Sequence, residues 1–312
     1  MTSFKPSSDD IRFRRTSDAA SRNKRRIGGT RCVMVESFPK MGASWLKKNG
    51  LKVELGPNMF NQKNQMAGSD SDKISDIQAF INSPNIQAIL CSRGGYGSVR
   101  LLDHLDFQPL IDQKKWILGF SDITAIHSHL HANFEFPSLH CTMPINITGS
   151  NDPKENRTNQ SLLNALFGED LTYDLPQNSF NKTGNASGKL IGGNLSMLYS
   201  LCGSKSDIST VGKILFLEDL DEYLYHIDRM MMNLKRTGKL HGLSALVVGG
   251  MSDMNDNPIP FGKNALQIIA EHTKDYNYPI YFGLQAGHTK PNLALRLGMN
   301  AHISDNKLFL PA

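Results

Sequence analysis

The sequence predicts an α/β fold with a mostly parallel sheet, because apolar runs, Gly-rich turns and helical patterns alternate through the first half of the chain. The length of 312 residues predicts two domains, at roughly 150 residues for each. A polar stretch at residues 149–160 indicates a linker, and a second region begins near residue 186.

The individual elements follow from local patterns. Continuous apolar runs indicate buried strands, which we place in the first region at residues 51–55, 86–91 and 116–120. Helical spacing predicts helices that end near residue 50, follow residue 98, and run from 124 to 133. A short helix at 161–167 is predicted to follow the linker. For the second region we predict strands at 213–217, 245–249 and 278–283, an amphipathic helix at 221–235, and short β segments at the end.

The net charge of +5 comes from the N-terminal arm. Residues 1–40 hold ten of the 34 basic residues and four of the 29 acidic ones, so the rest of the chain is close to neutral. A nucleic-acid-binding protein is expected to carry its basic surface on the folded body, so we predict no nucleic-acid partner. No apolar run reaches the roughly 18 residues of a membrane helix, and no apolar signal segment opens the chain. We therefore expect a cytoplasmic protein without a membrane partner.

The cysteines and histidines give no metal-binding pattern. The four cysteines lie at least 40 residues apart, which excludes the close pairs of a zinc knuckle or a redox dithiol. His127, His129 and His131 lie in a predicted helix, where the first and third share a face and the second points away. We therefore predict no metal site in these residues.

Ser121 lies where a predicted strand turns into a helix, in the sequence Gly119-Phe-Ser-Asp122. A serine at such a turn is held in an exposed, strained position, and the small Gly119 lets the turn close. The backbone amide of Asp122, at the start of the helix, could bind a developing oxyanion. The alternative is an ordinary helix cap, in which Ser121 binds the first backbone amides.

A second turn, Arg93-Gly94-Gly95-Tyr-Gly97, follows the neighbouring strand. Adjacent glycines let backbone amides approach a carboxylate or an oxyanion closely, although a tight strand-to-helix turn needs glycine as well. The turn is not a phosphate-binding loop, because no Gly-Lys-Ser/Thr follows, and it lacks the complete dinucleotide fingerprint.

An acid and a histidine follow in the second region. Glu218 and Asp219 end a predicted strand, where a carboxylate can orient an imidazole or simply cap the next helix. His288 lies in a glycine-flanked loop, the kind of segment in which functional residues concentrate.

Five motifs, in this order along the chain, resemble the LD-carboxypeptidases (muramoyltetrapeptide carboxypeptidases), which are serine peptidases with a Ser-Glu-His triad. They lie at residues 91–97, 119–127, 191–195, 217–229 and 287–288, and the resemblance covers about residues 43–303. It implies a flavodoxin-like N-terminal domain (1–158) that carries the serine, a linker (159–180), and a smaller β-rich α/β C-terminal domain (181–312) that carries the glutamate and the histidine.

The resemblance also implies roles for individual residues. Ser121 matches the nucleophile, Glu218 the residue that orients the base, and His288 the base. The remaining residues expected to hold the oxyanion or the substrate are Asp122, Gly94, Gly95, Arg93, Asn194 and Arg229. The implied reaction releases the terminal D-alanine of a murein tetrapeptide during cell-wall recycling. The resemblance also implies that no metal and no organic cofactor are required, and that the protein is a homodimer.

Two segments depart from the family pattern. The family opens with a Gly-Asp-x-Ile strand, which residues 9–13 resemble, but an Arg-rich stretch follows where apolar residues should continue. The segment Leu-His-Cys-Thr-Met-Pro at 139–144 replaces the usual His-Gly-Pro, which affects the expected shape of the pocket.

Three other functions stay open on the sequence. The same triad could hydrolyse a peptidyl or aminoacyl nucleotide, as in the microcin-immunity branch that shares this scaffold. The chain could bind muropeptides without cleaving them, or it could be a metal-dependent hydrolase.

Overall fold

The structure is a computed structural model that describes residues 25–30 and 38–312, with side chains from residue 41 onward. The strands of this part of the chain are β1 (Arg25–Thr30), β2 (Leu51–Leu55), β3 (Ala88–Cys91), β4 (Trp116–Gly119), β5 (Ser138–His140), β6 (Leu171–Asp174), β7 (Ala186–Asn194), β8 (Ile214–Leu220), β9 (Ala245–Ser252), β10 (Ile280–Phe282), β11 (Leu295–Leu297), β12 (Asn300–Ser304) and β13 (Lys307–Leu310). The α-helices are α1 (Phe38–Lys48), α2 (Asp70–Asn82), α3 (Gln108–Asp112), α4 (Thr124–Phe134), α5 (Pro153–Leu166), α6 (Leu195–Leu201), α7 (Leu224–Arg236) and α8 (Ala265–Thr273).

The first sheet has the order β11-β5-β4-β3-β1-β2. Its first five strands in sequence are all parallel, in the order 2-1-3-4-5 that defines a flavodoxin-like sheet. Strand β11, from the C-terminal part of the chain, adds an antiparallel edge next to β5. The flavodoxin-like prediction is therefore confirmed.

The second sheet has the order β10-β9-β8-β7-β12-β13-β6. Strands β7 to β10 are parallel, and β12, β13 and β6 continue the sheet antiparallel. This β-rich α/β region agrees with the predicted C-terminal domain. Its strand β8 carries Glu218 and Asp219.

The apolar core is continuous between the two sheets. Leu118 and Leu139 of the first sheet belong to the same buried cluster as Leu190, Phe216 and Val247 of the second. Because β11 also joins the first sheet, apolar packing and backbone hydrogen bonds both hold the two regions together. The serine turn and the acidic strand end therefore have fixed relative positions.

Residues 153–160 are helical, which corrects the linker predicted at 149–160. The Asp152 carboxylate caps α5 by accepting a hydrogen bond from the Lys154 amide at 2.9 Å, and Pro153 occupies the first turn. Helix α5 runs across the predicted boundary at 158/159, and β6, inside the predicted linker 159–180, pairs with β13. The domain boundaries themselves stay a prediction.

Two other segments differ from expectation. The segment after the glycine turn forms two short 3-10 turns, Ser98–Arg100 and Leu102–His104, instead of an α-helix. The strand between β2 and β3 is β1, within the Arg-rich stretch, whereas residues 9–13 lie outside the described residues.

Candidate active site

Ser121 begins a 3-10 turn, Ser121–Ile123, directly after β4 and before α4. Its φ of +63° lies in the left-handed region, which a non-glycine residue adopts only under strain. A Cβ at Gly119 would lie 2.9 Å from Ile123 Cγ1, so only glycine fits there. Within this described segment neither the 3-10 turn nor α4 has a side-chain cap at its N-terminus, which argues against the capping alternative for Ser121.

The glycine turn lies against the serine. A Cβ built on Gly94 would lie 3.0 Å from Ser121 Cβ and 3.2 Å from Ser121 Oγ. The buried Asp122 carboxylate holds the two turns together, because its Oδ2 accepts hydrogen bonds from the Ser98 amide at 2.9 Å and the Ser98 hydroxyl at 2.7 Å. The Asp122 side chain thus has a structural role beside the predicted role of its amide.

Glu218 and His288 form the second half of the site. Glu218 is fully buried at the end of β8, and its Oε2 lies 2.6 Å from His288 Nδ1. The same oxygen accepts a hydrogen bond from the His288 amide at 3.1 Å. A carboxylate at Nδ1 leaves Nε2 as the nitrogen that can exchange a proton with a substrate or a nucleophile.

The environment of His288 favours the imidazolium. Burial lowers the pKa of His288, but the hydrogen bond and the charge of Glu218, with a further contribution from Asp219, raise it above its ordinary value. A base with a raised pKa holds a proton more firmly after it has taken it. This is the behaviour that proton abstraction from a serine hydroxyl requires.

The loop that carries His288 is fixed from both sides. Gly287 has a φ of +91°, and a Cβ there would lie 2.5 Å from Glu218 Cγ. Its amide donates to Asn292 Oδ1 at 2.8 Å, and the Asn292 amide donates to Thr158 Oγ1 at 2.9 Å. The Ser252 hydroxyl donates to the His288 carbonyl. These contacts hold the imidazole against Glu218.

Phe120 connects the two halves. Its ring centroid lies 4.8 Å from that of His288, and Phe120 directly precedes Ser121. The serine turn and the histidine loop are therefore neighbours, as the sequence interpretation requires. The ring centroid of Phe120 also lies 5.8 Å from that of His140, and the His140 centroid lies 5.1 Å from that of Phe216.

A cleft of about 580 Å³ opens beside His288. Phe120, Gly287 and His288 form one end of it. The rest of the lining is mostly polar and comes from Thr142, Ile145, Asn146, Thr148, Ser150, Asp152, Glu155, Thr158, Leu220, Asp253, Thr289, Lys290 and Asn292. Residues that the sequence interpretation assigned to a linker thus form a wall of this cleft.

The predicted substrate-contact residues have different settings. Asn194 is buried, and its side chain is bonded within the protein, to Asp219 through Nδ2 and to Ser196 and Met197 through Oδ1. These internal hydrogen bonds give the Asn194 side chain a structural role, and its contact with substrate stays a prediction. Arg229 is exposed on α7, with its guanidinium 5.2 Å from the centre of the Tyr225 ring. Arg93 is half-buried and Gly95 exposed in the glycine turn.

Sequence reasoning missed two buried residues beside the site. Asp219 was considered only as a strand-end acid, yet its carboxylate accepts three hydrogen bonds, from Asn194, from the Ser196 amide and from the Leu220 amide. His140 is fully buried between aromatic rings, and burial lowers its pKa well below the ordinary value. The two adjacent acids in the motif were the available signal for Asp219, whereas an apolar strand context concealed His140.

The three histidines of α4 bind three different partners. His127 Nε2 lies 3.0 Å from the Gly119 carbonyl, His129 Nδ1 2.9 Å from Ser206 Oγ, and His131 Nε2 2.9 Å from Lys213 Nζ. Burial lowers the pKa of His127 to about 4, so it stays neutral near pH 7. Among the described residues, no group of three or more His, Cys, Asp or Glu side chains is arranged to hold a metal ion.

Family models match both the N-terminal and the C-terminal part of the chain, and several known proteins are similar to it over most of its length. A family model for the LD-carboxypeptidase N-terminal domain matches residues 34–141, and one for the C-terminal domain matches residues 187–303. A probable murein peptide carboxypeptidase of Bacillus subtilis is 32% identical over 264 residues, which are 82% of this chain and 81% of the relative. The microcin C7 self-immunity protein MccF of Escherichia coli is 25% identical over 85% of each chain.

A solved structure supports the fold. The muramoyltetrapeptide carboxypeptidase from Oxalobacter formigenes superposes with a TM-score of 0.83 at 25% identity, over 92% of this chain and 99% of the other. Within the described residues, no helix is both long and apolar enough to cross a membrane.

Proposed function

Since the chain belongs to the LD-carboxypeptidase family and is therefore a serine-type carboxypeptidase, we propose that it releases the terminal D-alanine from murein tetrapeptides, with Ser121, Glu218 and His288 as its catalytic triad. The observation that carries the proposal is the 2.6 Å contact between His288 Nδ1 and Glu218 Oε2, beside a strained serine whose neighbour Phe120 packs on the imidazole.

The chemistry follows from these positions. His288 Nε2 takes the proton of the Ser121 hydroxyl while Oγ attacks the carbonyl that precedes the D-alanine. Collapse of the tetrahedral intermediate breaks the C–N bond, and His288 passes its proton to the departing amine. A water molecule, deprotonated by His288, then hydrolyses the acyl-enzyme and regenerates the serine. The buried carboxylate of Glu218 orients the imidazole and stabilises its charged form throughout.

Backbone amides would hold the oxyanion. The Asp122 amide starts the turn into α4, and Gly94 lies against Ser121. Each such donor is worth about 3 kcal/mol of transition-state stabilisation. The free carboxylate of the D-alanine needs a cationic partner. Arg93, in the same turn, fits this role better than Arg229, whose guanidinium stacks on Tyr225.

Mass spectrometry of a tetrapeptide muropeptide, incubated with the purified protein, tests the proposal. We expect a product that has lost one D-alanine, with Ser121→Ala and His288→Ala each reducing the rate at least about 10³-fold. Glu218→Gln is expected to retain more activity, because Glu218 orients the base and does not attack.

The matched control is Ser200→Ala. Ser200 is an exposed serine on α6, whose hydroxyl donates to the Met197 carbonyl. This variant should cleave at the wild-type rate. Turnover by Ser121→Ala at that same rate would refute the triad. Binding of the muropeptide without any turnover by the wild type would leave a binding protein instead, and loss of activity in EDTA would indicate a metal-dependent hydrolase.

A second substrate class is favoured by one comparison, the similarity to the microcin C7 self-immunity protein over 85% of the chain. The same triad would then hydrolyse a peptidyl or aminoacyl nucleotide. An aminoacyl-nucleotide analogue, assayed beside the muropeptide at equal concentration, separates the two substrates by their kcat/KM values.

The remaining expectations belong to the same proposal. We propose that the protein is a homodimer, located in the cytoplasm and active in cell-wall recycling. We propose an N-terminal domain at 1–158, a linker at 159–180 and a C-terminal domain at 181–312. Sedimentation of the purified protein checks the assembly, since a monomeric mass at micromolar concentration would contradict it.

A further inference from the structure

We propose that Asp219 is a positioning residue, which acts through Asn194 and Thr124 to fix the serine turn relative to the Glu218–His288 pair. The inference rests on the proposed triad and adds to it a buried connection between its two halves. Those halves come from different sheets, which share an apolar core and strand β11, and the proposed connection fixes the serine turn and the base locally within that frame.

The connection begins at the serine turn. Thr124 is the first residue of α4, three positions after Ser121, and it is fully buried. Its hydroxyl oxygen accepts a hydrogen bond from the backbone amide of Asn194 at 3.0 Å. A Cβ on Gly193 would lie 2.5 Å from that oxygen, so the end of β7 packs directly on the start of α4.

The connection continues to the acidic strand end. Asn194 Nδ2 donates to Asp219 Oδ1 at 2.8 Å, and the Ser196 amide donates to Asp219 Oδ2 at 2.9 Å. Asp219 is the chain neighbour of Glu218, which in turn holds His288. Every side chain in this connection has little or no exposure to solvent. A shift of Asp219 would therefore be transmitted both to the serine turn and to the base.

The charge state of Asp219 also points to a role other than stability. Burial and the adjacent Glu218 raise the pKa of Asp219 to about 7. A carboxyl whose pKa is higher in the folded than in the unfolded state stabilises the fold fully only below its unfolded value, roughly 4. This contribution is lost as the pH rises through about 7. At pH values above this pKa the ionised carboxylate therefore opposes folding, although it accepts three hydrogen bonds.

Ionised Asp219 acts on the base as well, because its charge contributes to the raised pKa of His288. The other titratable groups that act on this pair are Glu218, on the same strand, and His140, on β5. Burial keeps His140 neutral, and the groups of β7 and α6 that bind Asp219 are uncharged. Removing the charge of Asp219 should therefore lower the pKa of His288 and move the acid limb of the pH–rate profile to lower pH.

The test compares Asp219→Asn with the wild type. We expect kcat for D-alanine release to fall about tenfold to a hundredfold with KM within about twofold, as expected for a misplaced catalytic group. The acid limb of kcat/KM should move to lower pH. The exchange variant Asn194→Asp/Asp219→Asn, which restores the side-chain hydrogen bond with donor and acceptor reversed, should recover most of the lost kcat.

The matched control is Asp76→Asn. Asp76 is also buried, and it also accepts a side-chain hydrogen bond from an asparagine, at 2.8 Å from Asn58 Nδ2, but it lies on α2. Because Asp76 lies outside the connection between the serine turn and the base, this variant should leave kcat and the acid limb as in the wild type. A change in Asp219→Asn that matches the Asp76→Asn pattern would show that Asp219 only stabilises the fold, and would overturn the inference.

A second measurement separates this inference from the choice of substrate. The rate at which a fluorophosphonate labels Ser121 requires no peptide, so it reports the serine and its base even if the muropeptide is not cleaved. We expect Asp219→Asn to slow labelling and to move its pH dependence in the same direction. Unchanged labelling of this variant would overturn the inference while the triad stands, whereas a wild-type Ser121 that neither labels nor turns over substrate would overturn both.

Discussion

Gly287 shows how closely the position of the proposed base depends on one residue. Its φ of +91° is in the left-handed region, and the space where a side chain would start is filled by Glu218, whose Oε2 would lie 2.6 Å from the added Cβ. The sequence placed Gly287 next to His288 without indicating why a glycine is needed. The structure supplies two reasons, the backbone conformation and the close approach of the buried acid.

Gly287→Ala is expected to displace Glu218 or the His288 loop. Overpacking of this kind costs about 1–3 kcal/mol, and the backbone strain adds to it. We expect kcat to fall by at least about a hundredfold, since the base moves with the loop. Urea denaturation and the rate of D-alanine release measure the two effects.

Gly238→Ala is the matched control for this change. Gly238 has a similar φ of +78°, but in the part of the chain that the structure describes no atom lies within 4 Å of the position where its Cβ would be. Gly238→Ala should lower the free energy of unfolding only through backbone strain, by about 1 kcal/mol, and its kcat should stay unchanged. Equal kcat values for the two alanine variants would show that the clash with Glu218 is not important for activity.

Helix α5 and the loop before it show how a segment read as a linker becomes part of the site. Glu155, in the first turn of α5, accepts hydrogen bonds from the Thr148 amide at 2.8 Å, the Thr148 hydroxyl at 2.6 Å and the Ser150 hydroxyl at 2.8 Å. Burial alone would raise the pKa of Glu155. The hydrogen bonds lower the pKa by more than burial raises it, so the pKa lies below its ordinary value. Glu155 therefore stays ionised at neutral pH and shapes the cleft wall.

Glu155→Gln should loosen this wall. Both carboxylate oxygens of Glu155 accept hydrogen bonds, whereas a glutamine side chain has only one acceptor oxygen. Loop 148–150 therefore loses part of its anchoring. We expect KM for the tetrapeptide to rise severalfold with kcat within about twofold, because the triad is not part of this loop. Steady-state kinetics over a range of substrate concentrations measures the two constants.

Glu271→Gln provides the comparison for a surface acid. Glu271 lies on α8, pairs with Lys263, and both side chains are close to half exposed. The KM of Glu271→Gln should equal that of the wild type. If Glu155→Gln has the KM of Glu271→Gln, the cleft wall does not contact the substrate.

Arg296 joins distant parts of the chain. It lies on β11 and is almost completely buried, with its guanidinium donating to the carbonyls of Ala165 and Glu169, at the end of α5, and of Leu310 and Pro311, at the end of the chain. Strand β11 also forms the antiparallel edge of the first sheet. One side chain therefore links the C-terminal segment, α5 and the sheet that carries the serine.

Arg296→Met should destabilise the protein strongly. Methionine fills much of the volume but leaves several buried carbonyls without a donor, at about 1–3 kcal/mol for each. We expect the free energy of unfolding, measured in urea, to fall by at least about 3 kcal/mol. Lys263→Met removes a cation that is 45% exposed and should change it by less than about 1 kcal/mol. Similar values for the two variants would show that the buried network contributes little.

Much of the fold was predictable because its signals are local. Strand β2 at 51–55 agrees with its predicted bounds, and β3, β4, β8, β9 and α7 lie within a few residues of theirs. The second half of α5 agrees with the helix predicted at 161–167. Its first two turns lie in the predicted linker because polar side chains dominate them, although Asp152-Pro153 is a recognisable helix start. The segment after Gly97 was expected to be helical because its leucines have helical spacing, but short 3-10 turns satisfy the same burial.

The amino-acid sequence determined the residue types and their order: a serine, an acid and a histidine at turns and strand ends, together with the alternation that makes a parallel sheet. Only the tertiary structure decided that Glu218 holds His288, that Phe120 brings the serine turn against it, and that Asn194 is bonded internally. The physical reason is distance along the chain. Periodicity and turn chemistry act over a few residues, whereas these contacts join residues 25 to 168 positions apart, and their geometry depends on how two sheets pack on a common core.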